Sequence, residues 1–134
     1  MDLKRVVVTG LGALTPIGNS LSEYWEGLVS GKSGADKITY FDCSNFKTQF
    51  ACELKGFNPE DFMDRKLSRK MDRFAQYAIV SSDEAIKDAF PDTSGLDMDR
   101  VGVIWGAGIG GLETFQNEVL GFAAGNGHPR FNPF

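Results

Sequence analysis

Four glycines in six positions, Gly106-Ala107-Gly108-Ile109-Gly110-Gly111, form the first group whose residue types and spacing could do chemistry. Glycines at such density let backbone come close to a phosphate, an acyl chain or another strand. The spacing fits G-x-G-x-x-G, the turn that in a dinucleotide site seats a pyrophosphate on the N-terminus of the next helix. That fingerprint also needs a second strand and an acidic residue about 20 residues further on. Here the last acidic residue is Glu118, inside the helix expected to follow, and the stretch GFAAGNGHPRFNPF beyond it reads as loop. The dinucleotide reading is rejected on that ground. A tight packing turn or a loop lining a substrate remains. Gly10-Leu11-Gly12 is a weaker match, because Pro16 and Gly18 delay the helix that would have to hold a phosphate.

The second group is basic. Arg65, Lys66, Arg69, Lys70 and Arg73 are five of the chain's 14 basic residues. On one helix, Arg65, Arg69 and Arg73 fall at i, i+4, i+8, with Lys66 and Lys70 on a neighbouring row. The plain reading is a solvated face balanced by Asp64 and Asp72. The sharper one is a docking patch for an acidic partner, since a local basic patch steers an anionic ligand without making an acidic protein generally adhesive. The thiols are poor nucleophile candidates. Cys43 follows an aspartate and Cys52 precedes Glu53, whereas a catalytic thiol needs a basic neighbour or a helix N-terminus. His128, in Gly127-His128-Pro129, reads as a loop residue with no partner adjacent in sequence. Two cysteines without C-x-x-C and a single histidine argue against a structural zinc site.

The elements that must position these groups follow from pattern. Val6–Val8 reads as a short buried strand, turned by Thr9–Gly12. Ser20-Leu21-Ser22-Glu23 is a capping box; Leu21, Tyr24, Trp25, Leu28 and Val29 then mark one face of a helix that Gly31 ends. Residues 32–47 read as loop and Thr48–Leu54 as a short strand. Asn58-Pro59-Glu60-Asp61 opens a helical turn with Pro59 at its first position. The 3.6-residue period predicts one long helix over Leu67–Ala89, ended before Pro91. Asp92–Asp99 is a polar link. Val101–Trp105 is predicted to be a strand buried on both faces. A last helix covers Leu112–Ala123, with Leu112, Phe115, Val119 and Phe122 on one face. Strand, loop and helix in alternation indicate an α/β fold.

The chain has 134 residues, 42% hydrophobic and 24% charged, enough for one domain. A net charge of −4 speaks against a general nucleic-acid binder. There is no apolar run of membrane-spanning length, and Met1–Arg5 does not read as a signal peptide. A soluble cytoplasmic protein with reduced thiols is expected. The aromatic end, Phe131-Asn132-Pro133-Phe134, reads as a chain cut in mid-fold.

Arg5–Gly18 (RVVVTGLGALTPIG) resembles the opening of the β-ketoacyl-acyl-carrier-protein synthases, the elongating condensing enzymes of fatty acid synthesis. Gly31–Gly34 (GKSG), Phe41-Asp42, Asp64–Phe74 (DRKLSRKMDRF) and Gly106–Gly111 match in the same order, so the resemblance covers essentially the whole chain. Ile109 and the basic run are similar to the type II branch of that family. The resemblance implies the N-terminal part of a ketosynthase domain over residues 1–134, within a thiolase-like five-layer αβαβα fold that this chain leaves incomplete. It implies a decarboxylative Claisen condensation of an acyl thioester with malonyl-acyl carrier protein, carried out by a cysteine, two histidines and a lysine. None of these has a counterpart here, so no catalytic residue is carried over and the 134-residue chain alone is expected to be inactive. What the resemblance does carry over is supporting. Lys66, Arg69 and Lys70 would contact acyl carrier protein. Gly108, Ile109 and Gly110 would line the acyl pocket. Phe134 would lie at a homodimer interface. Neither a cofactor nor a metal is implied, nor are nucleic-acid or membrane partners. The alternatives are a polyketide ketosynthase, a non-catalytic carrier-binding or scaffold subunit of the same fold, and an NAD(P)-binding dehydrogenase fragment.

Overall fold

The computed structural model describes residues Leu3–Phe131. The chain divides into two compact units, one of residues 3–57 with Val80–Leu96, the other of Asn58–Ile79 with residues 97–131. The elements are α1 (Leu21–Val29), β1 (Asp36–Lys37), β2 (Phe50–Ala51), a 3-10 turn at Pro59–Asp61, α2 (Arg65–Ser68), α3 (Arg73–Ala89), a 3-10 turn at Met98–Arg100, and α4 (Leu112–Ala124).

In the first unit the turn after Val6–Val8 lies directly on α3. A Cβ at Gly10 would sit 2.2 Å from the Ala85 carbonyl oxygen, and one at Gly12 would sit 2.0 Å from that of Ser81. Ser81, Ala85 and Ala89 recur every four residues, giving the helix a smooth stripe that bare backbone can approach. Carboxylates one row away fasten the loop. The Leu11 N–H donates to Asp88 Oδ2 at 3.0 Å, while Glu84 accepts from Ala13 N at 2.8 Å and from Leu21 N at 2.8 Å. Glu84 thus holds both the loop and the first residue of α1. Replacing Glu84 with alanine strands two backbone donors, each costing about 1–3 kcal/mol where water cannot replace the acceptor. We expect a lower denaturation midpoint with unchanged helix content in the folded state; an unchanged midpoint would mean that water serves both donors equally well.

Helix α1 starts where the capping pattern places it. The Ser20 hydroxyl accepts from Glu23 N at 3.3 Å, and Glu23 reaches back to Asn19 N at 2.8 Å. It ends on Gly31, whose φ of +68° permits the paired bonds Lys32 N to Gly27 O (2.9 Å) and Gly31 N to Leu28 O (3.1 Å). The apolar face is only partly covered: Leu21 and Tyr24 are half-buried. Trp25, Leu28 and Val29 are exposed, and the buried residue is Gly27, where a Cβ would come within 3.1 Å of Ile17. Close approach of Ile17 to Gly27 helps seat the helix. Strands β1 and β2 pair antiparallel, Asp36 with Ala51 and Lys37 with Phe50, so only part of the expected Thr48–Leu54 strand is in a ladder. Lys55 closes the hairpin on Asp36 at 3.0 Å, and its hydrogen bond holds the Asp36 carboxyl below the usual carboxylate range.

Two expected strands are not formed. Val6–Val8 and Val101–Trp105 run without a ladder and lie open, Ile104 fully so. A strand exists through its neighbours' hydrogen bonds, and among the described residues the sheet consists of β1 and β2 alone. An apolar β-branched run records an environment the residues fit; it does not supply that environment.

The second unit corrects the long helix. The period predicted Leu67–Ala89 as one element, but the chain forms α2, turns over residues 69–72, and restarts as α3. The Gln76 amide stabilises the break by donating to the carbonyls of Ser68 (2.8 Å) and Met71 (3.1 Å), which have left the helical ladder. The apolar period survives such a turn, so periodicity alone does not register it. Helix α4 matches its expected span within a residue, although Leu112, Phe115, Val119 and Phe122 are all exposed.

Candidate functional site

The second unit brings the two groups of interest onto neighbouring stretches of chain. Asp64 caps α2 by accepting from Lys66 N at 2.8 Å and Leu67 N at 3.3 Å. Because the helix ends at Ser68, Arg65 and Lys66 lie on α2, Arg69 and Lys70 on the turn, and Arg73 on the first turn of α3. The i, i+4, i+8 row expected for Arg65, Arg69 and Arg73 is therefore broken. Arg65 pairs with Glu60 at 3.2 Å and Arg73 with Glu113 at 3.0 Å. Lys66, Arg69 and Lys70 are exposed. The turn concentrates positive charge on a short, solvent-facing stretch, which suits electrostatic capture of an acidic surface better than a specific pocket.

The glycine loop lies in the same unit. Nothing comes within 4 Å of a Cβ built at Gly106 or Gly108, so the first half of the loop is open. The second half is packed. A Cβ at Gly110 would meet the Phe74 ring at 2.8–3.0 Å, and Gly111, with φ of +75°, provides the left-handed residue from which α4 starts. Ile109, between them, is 76% exposed. Helix α4 carries Glu113 in its first turn, where a bound phosphate would meet a like charge. That placement agrees with setting the dinucleotide reading aside.

Sequence reasoning missed Phe74, Gln76 and Glu113. Phe74 falls within the run predicted as one long helix, and its ring is the surface on which Gly110 rests. The available signal was the DRF triplet at the restart of α3, which a break between Ser68 and Arg73 would have turned toward the loop. Cys43 is buried, its Sγ 3.9 Å from Gln49 O, and Cys52 is exposed. His128 lies beyond α4, its N–H on Gly125 O at 3.1 Å, and borders a cavity of about 500 Å³ with Glu118 and Arg130. Among the described residues no group of His, Cys, Asp and Glu could hold a metal ion. Among the described residues no helix is long and apolar enough to cross a membrane. Phe134 lies outside the described residues.

Residues 3–131 match the family model described as "Beta-ketoacyl synthase, N-terminal domain". The chain is 53% identical over 113 residues to 3-oxoacyl-[acyl-carrier-protein] synthase 2 of Staphylococcus aureus (strain N315), covering 84% of this chain and 27% of that protein. It is 44% identical over 134 residues to the protein of the same name from Synechocystis sp., covering 100% of this chain and 32% of the relative. Among solved structures it superposes, with a TM-score of 0.73 and 26% identity, on a type II polyketide ketosynthase bound to its acyl-carrier protein, AntDE:AntF, covering 95% of this chain and 33% of that one. The chain spans about a third or less of the length of the curated relatives it matches. The shared fold over that span is the N-terminal part of the ketosynthase α/β fold, in agreement with the expectation from sequence.

Proposed function

The chain belongs to the β-ketoacyl synthase family, and from that premise we propose that it forms the N-terminal part of an elongating 3-oxoacyl-[acyl-carrier-protein] synthase of fatty acid synthesis. The observation that carries this reading is the identity of 44–53% to relatives bearing that name. In this reading the domain covers residues 1–134 and works in a cytoplasmic homodimer, with Phe134 at the dimer interface. The reaction is a condensation in which malonyl-carrier protein loses carbon dioxide and the resulting carbanion equivalent attacks an acyl thioester on a cysteine. A thiolate nucleophile and preorganised donors for the enolate and oxyanion supply the chemistry. Those groups have no counterparts in this chain. Its own contribution is to bring the carrier in and to shape the space that the acyl chain enters.

Lys66, Arg69 and Lys70 receive the carrier. Their exposure supports this assignment, as does the solved complex of a family relative with its own acyl-carrier protein. Ile109, flanked by Gly108 and Gly110, borders the acyl pocket, and no cofactor is required.

The test is the double reversal Lys66→Glu with Arg69→Glu in the full-length enzyme. An exposed charge contributes about 0.2–1 kcal/mol, so the pair should lower kcat/KM for carrier-borne primers by about 2- to 30-fold at low salt. The salt dependence should flatten, and small thioesters without a carrier should react at the parental rate. Unchanged carrier kinetics at low salt would return the cluster to a merely solvated turn.

A further inference from the structure

We infer that Arg73 and Glu113 are positioning residues that latch the glycine loop to the basic turn, so that the seat of Ile109, and with it the acyl length accepted, responds to what docks on that turn. This rests on the reading of the turn and loop given under Proposed function.

The loop is fastened at one end. Nothing lies within 4 Å of a Cβ built at Gly106 or Gly108, whereas the described contacts of the second half and of the start of α4 fall on three consecutive residues, Asp72 to Phe74, where the basic turn runs into α3. A Cβ at Gly111 would lie 3.4 Å from Asp72 Oδ2, Arg73 Nε is 3.0 Å from Glu113 Oε2, and the Phe74 ring backs Gly110. The turn in turn is tied to α3 through Gln76, which holds the carbonyls of Ser68 and Met71. Hydrogen bonds and packing therefore connect Lys66–Lys70 to Ile109 within one compact unit.

Among these fastenings the ion pair is the one an acidic partner can contest. Both members are about half exposed, 43% and 48%, so the pair is weak and open to competition from solvent or from another carboxylate. A carrier docked on Lys66, Arg69 and Lys70 brings its acids beside Arg73, the next cation along the chain. Carboxylates that compete for Arg73 release Glu113 from it. The loop then loses its ionic fastening and rests on the Asp72 and Phe74 contacts, and Ile109 gains freedom. The acidic partner thus interacts differently with the latched and unlatched loop, as any ligand-driven shift between two states requires.

The experiment compares four full-length enzymes: wild type, Arg73→Glu, Glu113→Arg, and the swap of both. Glu113→Gln serves as a neutral variant in case a reversal folds poorly. The readout is the ratio of kcat/KM for a long against a short primer, each supplied as a pantetheine thioester and on the carrier. With pantetheine thioesters, each single reversal and Glu113→Gln should raise the long-to-short ratio about two- to fivefold, the range expected of an exposed pair, and the swap should restore it. On the carrier, wild type should shift in the same direction as Arg73→Glu. The swap should not shift, because position 73 no longer offers a cation. A ratio unchanged in the single variants, or a swap that fails to restore it, overturns the latch. If the latch results hold with pantetheine thioesters while Lys66→Glu/Arg69→Glu leaves carrier kinetics untouched, the docking assignment fails and the loop coupling stands. The reverse pattern removes the coupling and keeps the docking.

Discussion

Gly12→Ala should unfold the first unit or drive its N-terminal loop off α3. The added methyl would lie 2.0 Å from the Ser81 carbonyl oxygen and 2.8 Å from Ala85 N, both backbone atoms of a helix with no slack to yield. Overpacking of a well-fitted site costs about 1–3 kcal/mol, and a clash against backbone belongs at the upper end, about 3 kcal/mol. Movement of the loop would also strand the Leu11 and Ala13 N–H groups that Asp88 and Glu84 now serve. The control is Gly95→Ala in the same unit, where nothing lies within 4 Å and φ is not positive. There the same substitution should leave stability unchanged or raise it by up to about 1 kcal/mol by restricting the unfolded chain. Equilibrium denaturation of the full-length protein distinguishes them. Equal midpoints for the two variants would show that the loop does not rest on α3 in solution.

The contrast between these glycines also shows what could be read from sequence and what could not. The helix signals are local, and they located the ends of α1: Ser20 caps within three residues, and Gly31 closes within five. The signals that failed depend on partners remote in sequence. Val6–Val8 and Val101–Trp105 have strand composition but no ladder, because β structure is completed by another segment. The run Leu67–Ala89 kept its apolar period through a turn stabilised by Gln76, a side chain reaching back eight residues to Ser68 O. Glu84 was invisible for the same reason, since the donors it serves, at Ala13 and Leu21, lie 71 and 63 residues away. In the site, the basic cluster and the glycine loop were legible as composition. Their connection through Asp72, Arg73 and Phe74 was not, because nothing in the spacing of residues 72–74 specifies residues 110–113 as neighbours.

Ile109→Phe should separate long from short primers. Four glycines surround this position, so Ile109 is the one bulky group on a stretch of nearly bare backbone, and it is 76% exposed here. On the proposed reading the acyl chain is what covers it. A short chain would stop before the added ring. A longer one would have to displace the ring or force the loop aside, and Gly110 cannot retreat because the Phe74 ring already stands 2.8 Å from where its Cβ would be. Overpacking of about 1–3 kcal/mol corresponds to a loss of about 5- to 150-fold in kcat/KM for long primers, with short primers condensed at close to the parental rate. The measurement is kcat/KM across an acyl-length series for both proteins. The length at which the curve breaks gives the depth of position 109 in the pocket. A fall of equal size at every length would place the loop in support of the fold or of the nucleophile. Ile109 would then have no part in chain-length selection, and the latch formed by Arg73 and Glu113 would have no acyl group to act on.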